Sequence, residues 1–229
     1  MNTLSNNTGI YIHVPFCRNK CPYCDFYSTV ENAATIDSYI SAIVSELQTR
    51  KRLSEYVNTD ITADTVYFGG GTPSVLPPDG FIRILDAVRN NMTLTDDCEI
   101  TVECNPASFT EELAKAFREC GVNRISLGLQ SAIDKERKAL GRISGAAGVK
   151  NAMELCRENG IDNISLDVML GITYQTENSL YETLKFCNDN GASHISAYML
   201  KIEKNTPFYR MKSKLKLPNE DEVCDLYEN

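Results

Sequence analysis

The sequence predicts an α/β fold, a partial (β/α)6 barrel of TIM-like architecture, and three observations carry that reading. Apolar segments of strand length alternate with amphipathic helical ones along all 229 residues, which implies parallel strands joined by right-handed crossovers. Within the strands apolar residues alternate with small or polar ones, whereas a strand covered by helices on both faces is apolar almost throughout. One face therefore meets helices and the other lines an interior. The residues that carry chemistry fall at the C-terminal ends of the strands, where such barrels build their sites.

Residues 10–14 read as the first strand, with Ile10, Ile12 and Val14 on one face and Tyr11 and His13 on the other. A cysteine loop follows. Ile36, Tyr39, Ile40, Ile43, Val44 and Leu47 then recur at helical spacing, and the basic run Arg50-Lys51-Arg52 is expected to end that helix, favoured there by its dipole. The second strand, 65–68, runs into Gly69-Gly70-Gly71-Thr72-Pro73, with a helix from about 79 to 89 behind it. The third, 99–104, sets Ile100 and Val102 against Thr101 and Glu103 and stops at the turn signal Asn105-Pro106. Thr110 before Glu111 and Glu112 starts the next helix. The fourth strand, 124–130, sets Ile125, Leu127 and Leu129 against Ser126, Gly128 and Gln130. The fifth, 163–169, sets Ile164, Leu166 and Val168 against Ser165, Asp167 and Met169, and a sixth spans 194–200. Gly121, Gly160 and Gly191, ahead of the last three strands, read as left-handed helix C-caps. Residues 1–211 are expected to form one core domain. Residues 212–229, with a helix starting behind Pro218, are expected to begin a C-terminal linker and helix of a longer architecture, cut short.

A net charge of -8 without a clustered basic surface excludes nucleic acid as a partner. No apolar run reaches the length of a transmembrane segment, and the opening residues MNTLSNNTG lack the basic and apolar regions of a secretory signal, so a cytoplasmic protein is expected. In that reducing setting the nine cysteines need not pair. Cys120 completes a helical stripe with Leu113, Ala116 and Phe117, Cys156 one with Val149, Ala152 and Met153, and Cys187 one with Leu180 and Leu184. These three read as packing. His194, at the N-terminal end of its strand, reads as structural.

The chemistry lies in Cys17-Arg18-Asn19-Lys20-Cys21-Pro22-Tyr23-Cys24, three thiols at the spacing C-x3-C-x2-C. Three soft ligands from one loop hold three corners of a metal site and leave the fourth open, as an iron–sulfur cluster that also binds a ligand requires. A structural zinc site completed by His13 is the alternative, but such sites generally draw on a second, distant ligand pair, which is absent. The glycine run matches neither the dinucleotide fingerprint nor the phosphate loop. It reads either as a turn or as a place where backbone N–H groups cradle a ligand's polar end. Glu103, Gln130, Arg142 and Asp167 would each pass alone as ordinary surface polar residues. Glu103, Gln130 and Asp167, inward on successive strands, call for a polar ligand, because burying them unpaired costs a few kcal/mol each.

Taken together, Tyr11-Ile-His-Val-Pro-Phe-Cys17-x3-Cys21-Pro-Tyr-Cys24-Asp-Phe26, Gly69-Gly-Gly-Thr-Pro73-Ser74, Thr101-Val-Glu103-x-Asn105-Pro106, Gly121-Val-Asn-Arg124-x-Ser126-Leu-Gly128-x-Gln130-Ser131, Leu140-Gly-Arg142 and Thr206-Pro-Phe-Tyr209 resemble the motifs of radical S-adenosylmethionine (SAM) proteins. The resemblance runs from about residue 9 to 211 and is narrowest to the anaerobic coproporphyrinogen III oxidase-like family, in its HemW-type heme chaperone branch. It implies a six-stranded partial barrel holding a 4Fe–4S cluster on Cys17, Cys21 and Cys24. Tyr11, Tyr23, Gly70, Gly71, Thr72, Glu103, Gln130, Arg142 and Asp167 would contact SAM, which the reduced cluster cleaves to methionine and a 5'-deoxyadenosyl radical. The partners it implies are heme or a porphyrin, a flavodoxin- or ferredoxin-like electron donor and a heme-acceptor protein. The oxidase branch carries a further cysteine two residues past the third, where Phe26 stands, which favours heme binding and transfer. An oxygen-independent coproporphyrinogen III oxidase forming protoporphyrinogen IX is the alternative, a structural zinc protein the remote one, and whether the chain is an enzyme turns on that choice. The sequence departs from the family pattern at Ala132, Ser144 and Ile172-Thr173-Tyr174-Gln175, all expected on the substrate side, and most of the family's C-terminal domain is missing.

Overall fold

The computed structural model describes residues 8–57, 62–142 and 144–228; the opening segment 1–7 lies outside the described residues. The elements run β1 (Thr8–Val14), β2 (Phe16–Cys17), β3 (Thr29–Val30), α1 (Ala33–Tyr56), β4 (Thr62–Gly70), α2 (Pro78–Asn91), β5 (Thr93–Cys104), α3 (Glu111–Glu119), β6 (Arg124–Gln130), α4 (Asp134–Ala139), α5 (Ala146–Glu158), β7 (Asn163–Leu170), α6 (Glu177–Asp189), β8 (His194–Met199), α7 (Pro207–Arg210) and α8 (Glu220–Glu228). Six strands form one sheet in the order β1-β4-β5-β6-β7-β8, and every neighbouring pair is parallel. Each strand after a crossover helix is thus added at the same edge. The right-handed twist carries the sheet round into a half-barrel with free edges at β1 and β8.

The alternation read from the sequence sets the two faces. Ile12, Val14, Val66, Phe68, Ile100, Val102, Ile125, Leu127, Ile164, Leu166 and Val168 are buried outward against the helices. Phe81 of α2 ties this layer together, with ring centroids 5.3 Å from Phe68 and 4.8 Å from Phe117 of α3. Thr110 caps α3 by accepting from the Leu113 N–H, as its place before two glutamates implies. Gly121, Gly160 and Gly191 all have positive φ at their helix ends. Residues 212–228 return to the barrel: Leu226 packs on the main core, and Leu215 on a smaller cluster around Leu140, Met169, Ile172 and Phe208.

Several elements differ from their sequence reading. Arg50-Lys51-Arg52 lies inside α1, which continues to Tyr56; Lys51 Nζ instead donates to the Asn90 carbonyl at 3.1 Å, at the C-terminal end of α2. β5 starts at Thr93, because Thr93 and Leu94 pair with Thr62 and Ala63 before a register shift, and the acidic Asp96-Asp97 hides that extension. On α6 Leu184 is exposed, and Thr183 takes the buried position beside Leu180 and Cys187. The short helix α4 gives no periodic signal because its buried residues, Glu136 and Arg137, are charged.

Candidate functional site

The cysteine loop is a closed excursion from the sheet. β2 pairs with β3 through Phe16–Thr29 and Cys17–Val30, and the Thr29 and Glu31 N–H groups donate to the Pro15 and Cys17 carbonyls at 2.8 and 3.0 Å. The loop is also tied to the end of β4. The Gly71 N–H donates to Val14 O at 2.8 Å and the Thr72 N–H to Phe16 O at 2.7 Å, while Gly70 N–H faces the Glu103 carboxylate. The N–H groups of Gly70, Gly71 and Thr72 are therefore engaged within the protein, which favours the turn over the ligand cradle among the two sequence readings.

Cys17, Cys21 and Cys24 open onto one cavity of about 140 Å³ at the C-terminal end of the half-barrel. Tyr23, Gly70, Gly71, Thr72, Glu103, Gln130, Arg142 and Asp167 line the same cavity, so eleven of the twelve residues singled out in the sequence converge there. Tyr11 does not. It is 59% exposed on the edge strand β1, stacked on Tyr67 with ring centroids 6.1 Å apart, because its register partner Tyr67 lies short of the strand's C-terminal end. A wider cavity of about 550 Å³ opens beside the first and shares Tyr23, Cys24, Phe26, Glu103, Asp167 and Tyr198 with it. Its remaining wall includes Tyr67, Met169, Met199 and Lys201.

The inward polar residues pair across the sheet. Tyr67 Oη donates to Glu103 Oε1 at 2.7 Å, Ser126 Oγ to Asp167 Oδ1 at 2.9 Å, and Tyr198 Oη to Gln130 Oε1 at 2.6 Å. Tyr67, Ser126 and Tyr198 escaped the list of candidate residues, although strand alternation alone turns each inward. Burial raises the Glu103 carboxyl above its ordinary range, against the hydrogen bonds from Tyr67 and Gly70. Burial likewise pushes Asp167 up to about 6, with the nearby Glu103 adding to the rise and the Ser126 hydroxyl opposing it. The cavity thus holds two carboxylates whose charge is poorly compensated.

Gln130 and Arg142 are set by the turn after β6. Gln130 has φ 67°, a left-handed conformation uncommon outside glycine, at a register irregularity between β6 and β7. The next residue is locked: Ser131 Oγ donates to Glu136 Oε2 at 2.7 Å, Arg137 Nη1 donates to Ser131 O at 2.5 Å, and the Arg142 N–H donates to Arg137 O at 2.9 Å. Buried Glu136 and Arg137 of α4 thereby hold both the strained Gln130 and the Arg142 backbone. The Arg142 side chain runs across Gly128, donating to Gly128 O at 3.0 Å, where a Cβ would overlap the guanidinium.

His13, the residue that a zinc site would need, has both ring nitrogens engaged. Nε2 lies 2.9 Å from Tyr27 O, which only accepts, so Nδ1 at 3.2 Å accepts from the Tyr11 hydroxyl. Among the described residues no three His, Cys, Asp or Glu side chains converge as a single ion requires, whereas a cluster spreads its thiolates over several irons. The chemistry of the donor set, three thiols facing a cavity with a polar far wall, fits such a cluster with a second ligand beside it. Burial pushes the Cys120, Cys156 and Cys187 thiols up to about 11, 12 and 11, in keeping with their role as packing. His194 bonds Ser165 Oγ at 2.9 Å, a contact within the barrel wall.

Of the three departures from the family pattern, one touches the site: Ser144 Oγ lies 3.4 Å from Asn105 Oδ1, and Asn105 lines the cavity. The others brace the frame. The Ala132 N–H donates to Thr183 on α6 at 3.0 Å, and Gln175 closes the turn after β7 on Gly171 N and Met169 O. All three nevertheless follow the C-terminal end of β6 or β7, the end of the half-barrel at which the cavity opens.

Residues 11–187 match the model of the radical SAM superfamily. The heme chaperone HemW of Haemophilus influenzae is 34% identical over 222 residues, 96% of this chain and 57% of that protein. The HemW of Escherichia coli is 34% identical over 221 residues, 96% of this chain and 57% of that protein. A mitochondrial protein of Mus musculus, radical S-adenosyl methionine domain-containing protein 1, is 32% identical over 98% of this chain and 50% of its own length. The chain thus spans about half the length of these relatives. Among solved structures, coproporphyrinogen III oxidase (HemN) of Escherichia coli superposes with a TM-score of 0.83 at 24% identity, over 96% of this chain and 50% of that one, a likeness of fold. With a half-barrel of sequential parallel strands, a three-cysteine loop at its mouth and a family match across most of its length, the chain belongs to the radical SAM superfamily.

Proposed function

We propose that this chain is the cluster- and SAM-binding core of a heme chaperone of the HemW type, which binds heme and passes it to an acceptor protein. One observation carries the reading: three thiols of a single loop face a polar, carboxylate-bearing wall across one cavity, and a wider aromatic cavity opens from it. The family implies a 4Fe–4S cluster and SAM. Cys17, Cys21 and Cys24 would hold the cluster, which supplies one-electron chemistry to bound SAM. SAM is a cation at sulfur and at its amino group. Glu103 and Asp167, whose charge burial penalises, gain from such a ligand, Gln130 and Arg142 offer a donor and a cation for its carboxylate, and Tyr23, Gly70, Gly71 and Thr72 complete the wall. Tyr11, short of the rim and outside this cavity, is the one expected SAM contact that its wall does not include.

The wider cavity suits a planar porphyrin. Tyr23, Phe26, Tyr67, Met169 and Met199 give it an aromatic and apolar wall, while its one lining cation, Lys201, is ion-paired with Glu203 at 2.9 Å. The relatives named heme chaperones point the same way, and so does Phe26 in place of the oxidase-type cysteine. A small flavin- or iron–sulfur-containing reductant and a heme-accepting protein are the proposed partners. All nine cysteines are free, which suits a reducing cytoplasm, and among the described residues no helix is long and apolar enough to cross a membrane.

Anaerobic purification with iron and sulfide analysis tests the core of this reading. Wild-type protein carries iron and sulfide in cluster proportion, and Cys17→Ala, Cys21→Ala and Cys24→Ala each lose them; a full complement in any one variant refutes that ligand. Heme titration followed by the Soret band tests the chaperone assignment, and its absence sinks it. Formation of 5'-deoxyadenosine with decarboxylation of coproporphyrinogen III would replace it with the oxidase reading.

A further inference from the structure

Each thiol of the loop receives a hydrogen bond from a different part of the chain. Thr72 Oγ1 donates to Cys17 Sγ at 3.4 Å, and Arg142 Nη1 donates to Cys21 Sγ at 3.8 Å. The Phe26 N–H serves Cys24 from within the loop. The first two donors are fixed by contacts of their own. The Thr72 backbone is tied to the residue before Cys17 through its N–H on Phe16 O, at 2.7 Å. Arg142 is tied to Gly128 O at 3.0 Å, through the other arm of the same guanidinium. Thr72 follows the end of β4 and Arg142 follows α4, so both donors belong to the barrel and not to the loop that would hold the metal.

We infer that Thr72 and Arg142 set the reduction potential of the cluster by hydrogen-bonding the sulfurs of Cys17 and Cys21. The inference rests on the proposed ligand assignment but adds a role beyond contact with SAM. An electron taken up by an iron–sulfur cluster, here from the external reductant, adds negative charge that spreads onto its thiolate sulfurs. A donor aimed at such a sulfur stabilises the reduced form more than the oxidised one and raises the potential. A guanidinium adds its full charge to that effect and is always protonated. Thr72 and Arg142 thus ease reduction before SAM has bound.

The test is a redox titration of the intact protein in the absence of SAM, followed by the electron paramagnetic resonance signal of the reduced cluster. Thr72→Val, which keeps the shape and removes the donor, shifts the midpoint to more negative potential, and Thr72→Ser restores the wild-type value. Arg142→Met shifts it in the same direction. A Thr72→Val midpoint equal to wild type overturns the inference, as does a Thr72→Ser midpoint displaced as far as that of Thr72→Val. Should Thr72→Val fail to assemble a cluster, Arg142→Met decides, and an unchanged midpoint there overturns the inference. Iron and sulfide in the wild-type protein separate the two levels: without them the ligand assignment itself falls, and with them only the sulfur donors are at stake.

Discussion

Asp167→Asn removes the charge that the fold accommodates worst. Burial, with the nearby Glu103 adding to it, lifts the Asp167 carboxyl from an ordinary 3.8 to about 6. The folded protein therefore holds this proton more tightly than the unfolded chain does. Between pH 3.8 and 6 it binds more protons than the unfolded state, so this group's contribution to stability is fully present below that window and is lost as pH rises through it. At roughly 1.4 kcal/mol per pH unit, the ionised carboxylate costs on the order of 2–3 kcal/mol at pH 7. Asparagine keeps the oxygen that accepts from Ser126 and carries no charge at any pH. Urea unfolding of wild type and variant at a series of pH values from 4 to 7.5 reads the difference directly. The two proteins should be about equally stable near pH 4, and the variant should gain as pH rises, levelling off above 6. A difference that is constant across the series, or a variant less stable than wild type at pH 7, refutes the electrostatic account of the cavity. The gain in stability comes with a loss in binding: a cationic ligand that relies on the Asp167 carboxylate should bind the variant more weakly.

Gly128→Ala places a methyl group against the Arg142 guanidinium and the Gln130 amide. It should lower stability by about 1–3 kcal/mol and, by displacing Arg142, weaken SAM binding in calorimetry. Cys156→Ala trims a fully buried thiol on α5 and should cost about 1 kcal/mol in thermal unfolding with iron content unchanged. Loss of iron in that variant would place Cys156 in the metal chemistry.

The half-barrel was legible because alternation is a local property. Ser126, Gly128 and Gln130 sit opposite Ile125, Leu127 and Leu129 in the sequence as they do in the structure, and a two-residue period needs no tertiary knowledge to read. The convergence of the cysteines with Glu103, Gln130 and Asp167 follows from the same rule, since strand ends of a parallel sheet lie on one rim. What stayed hidden depends on tertiary contacts. Tyr11 shares the inward face but stops short of the rim, a matter of register that no pattern in β1 reveals. Glu136 and Arg137 look like solvated charges, and only the Ser131 turn explains their burial. Thr183, not Leu184, is buried on α6 and accepts from the Ala132 N–H, a contact that the helical pattern does not reveal.

The glycine run shows how a correct location can carry the wrong reason. Three glycines at a strand end suggest room for a ligand, yet what approaches Gly71 most closely is the protein itself: a Cβ there would sit 2.6 Å from Phe16 O. Gly70 has φ 112°, and a side chain would meet the His13 ring. The run lets β2 and the start of the cysteine loop lie directly on the end of β4, where the Gly71 and Thr72 N–H groups bind the carbonyls of Val14 and Phe16. The position of Cys17, one residue on, is thereby set by the sheet and not by the loop's own sequence. Thr72, locked by the same contact, is left with its hydroxyl on the Cys17 sulfur. The glycines belong to the construction of the cysteine loop as much as the cysteines do, because without close backbone approach the thiols would have no fixed wall to face.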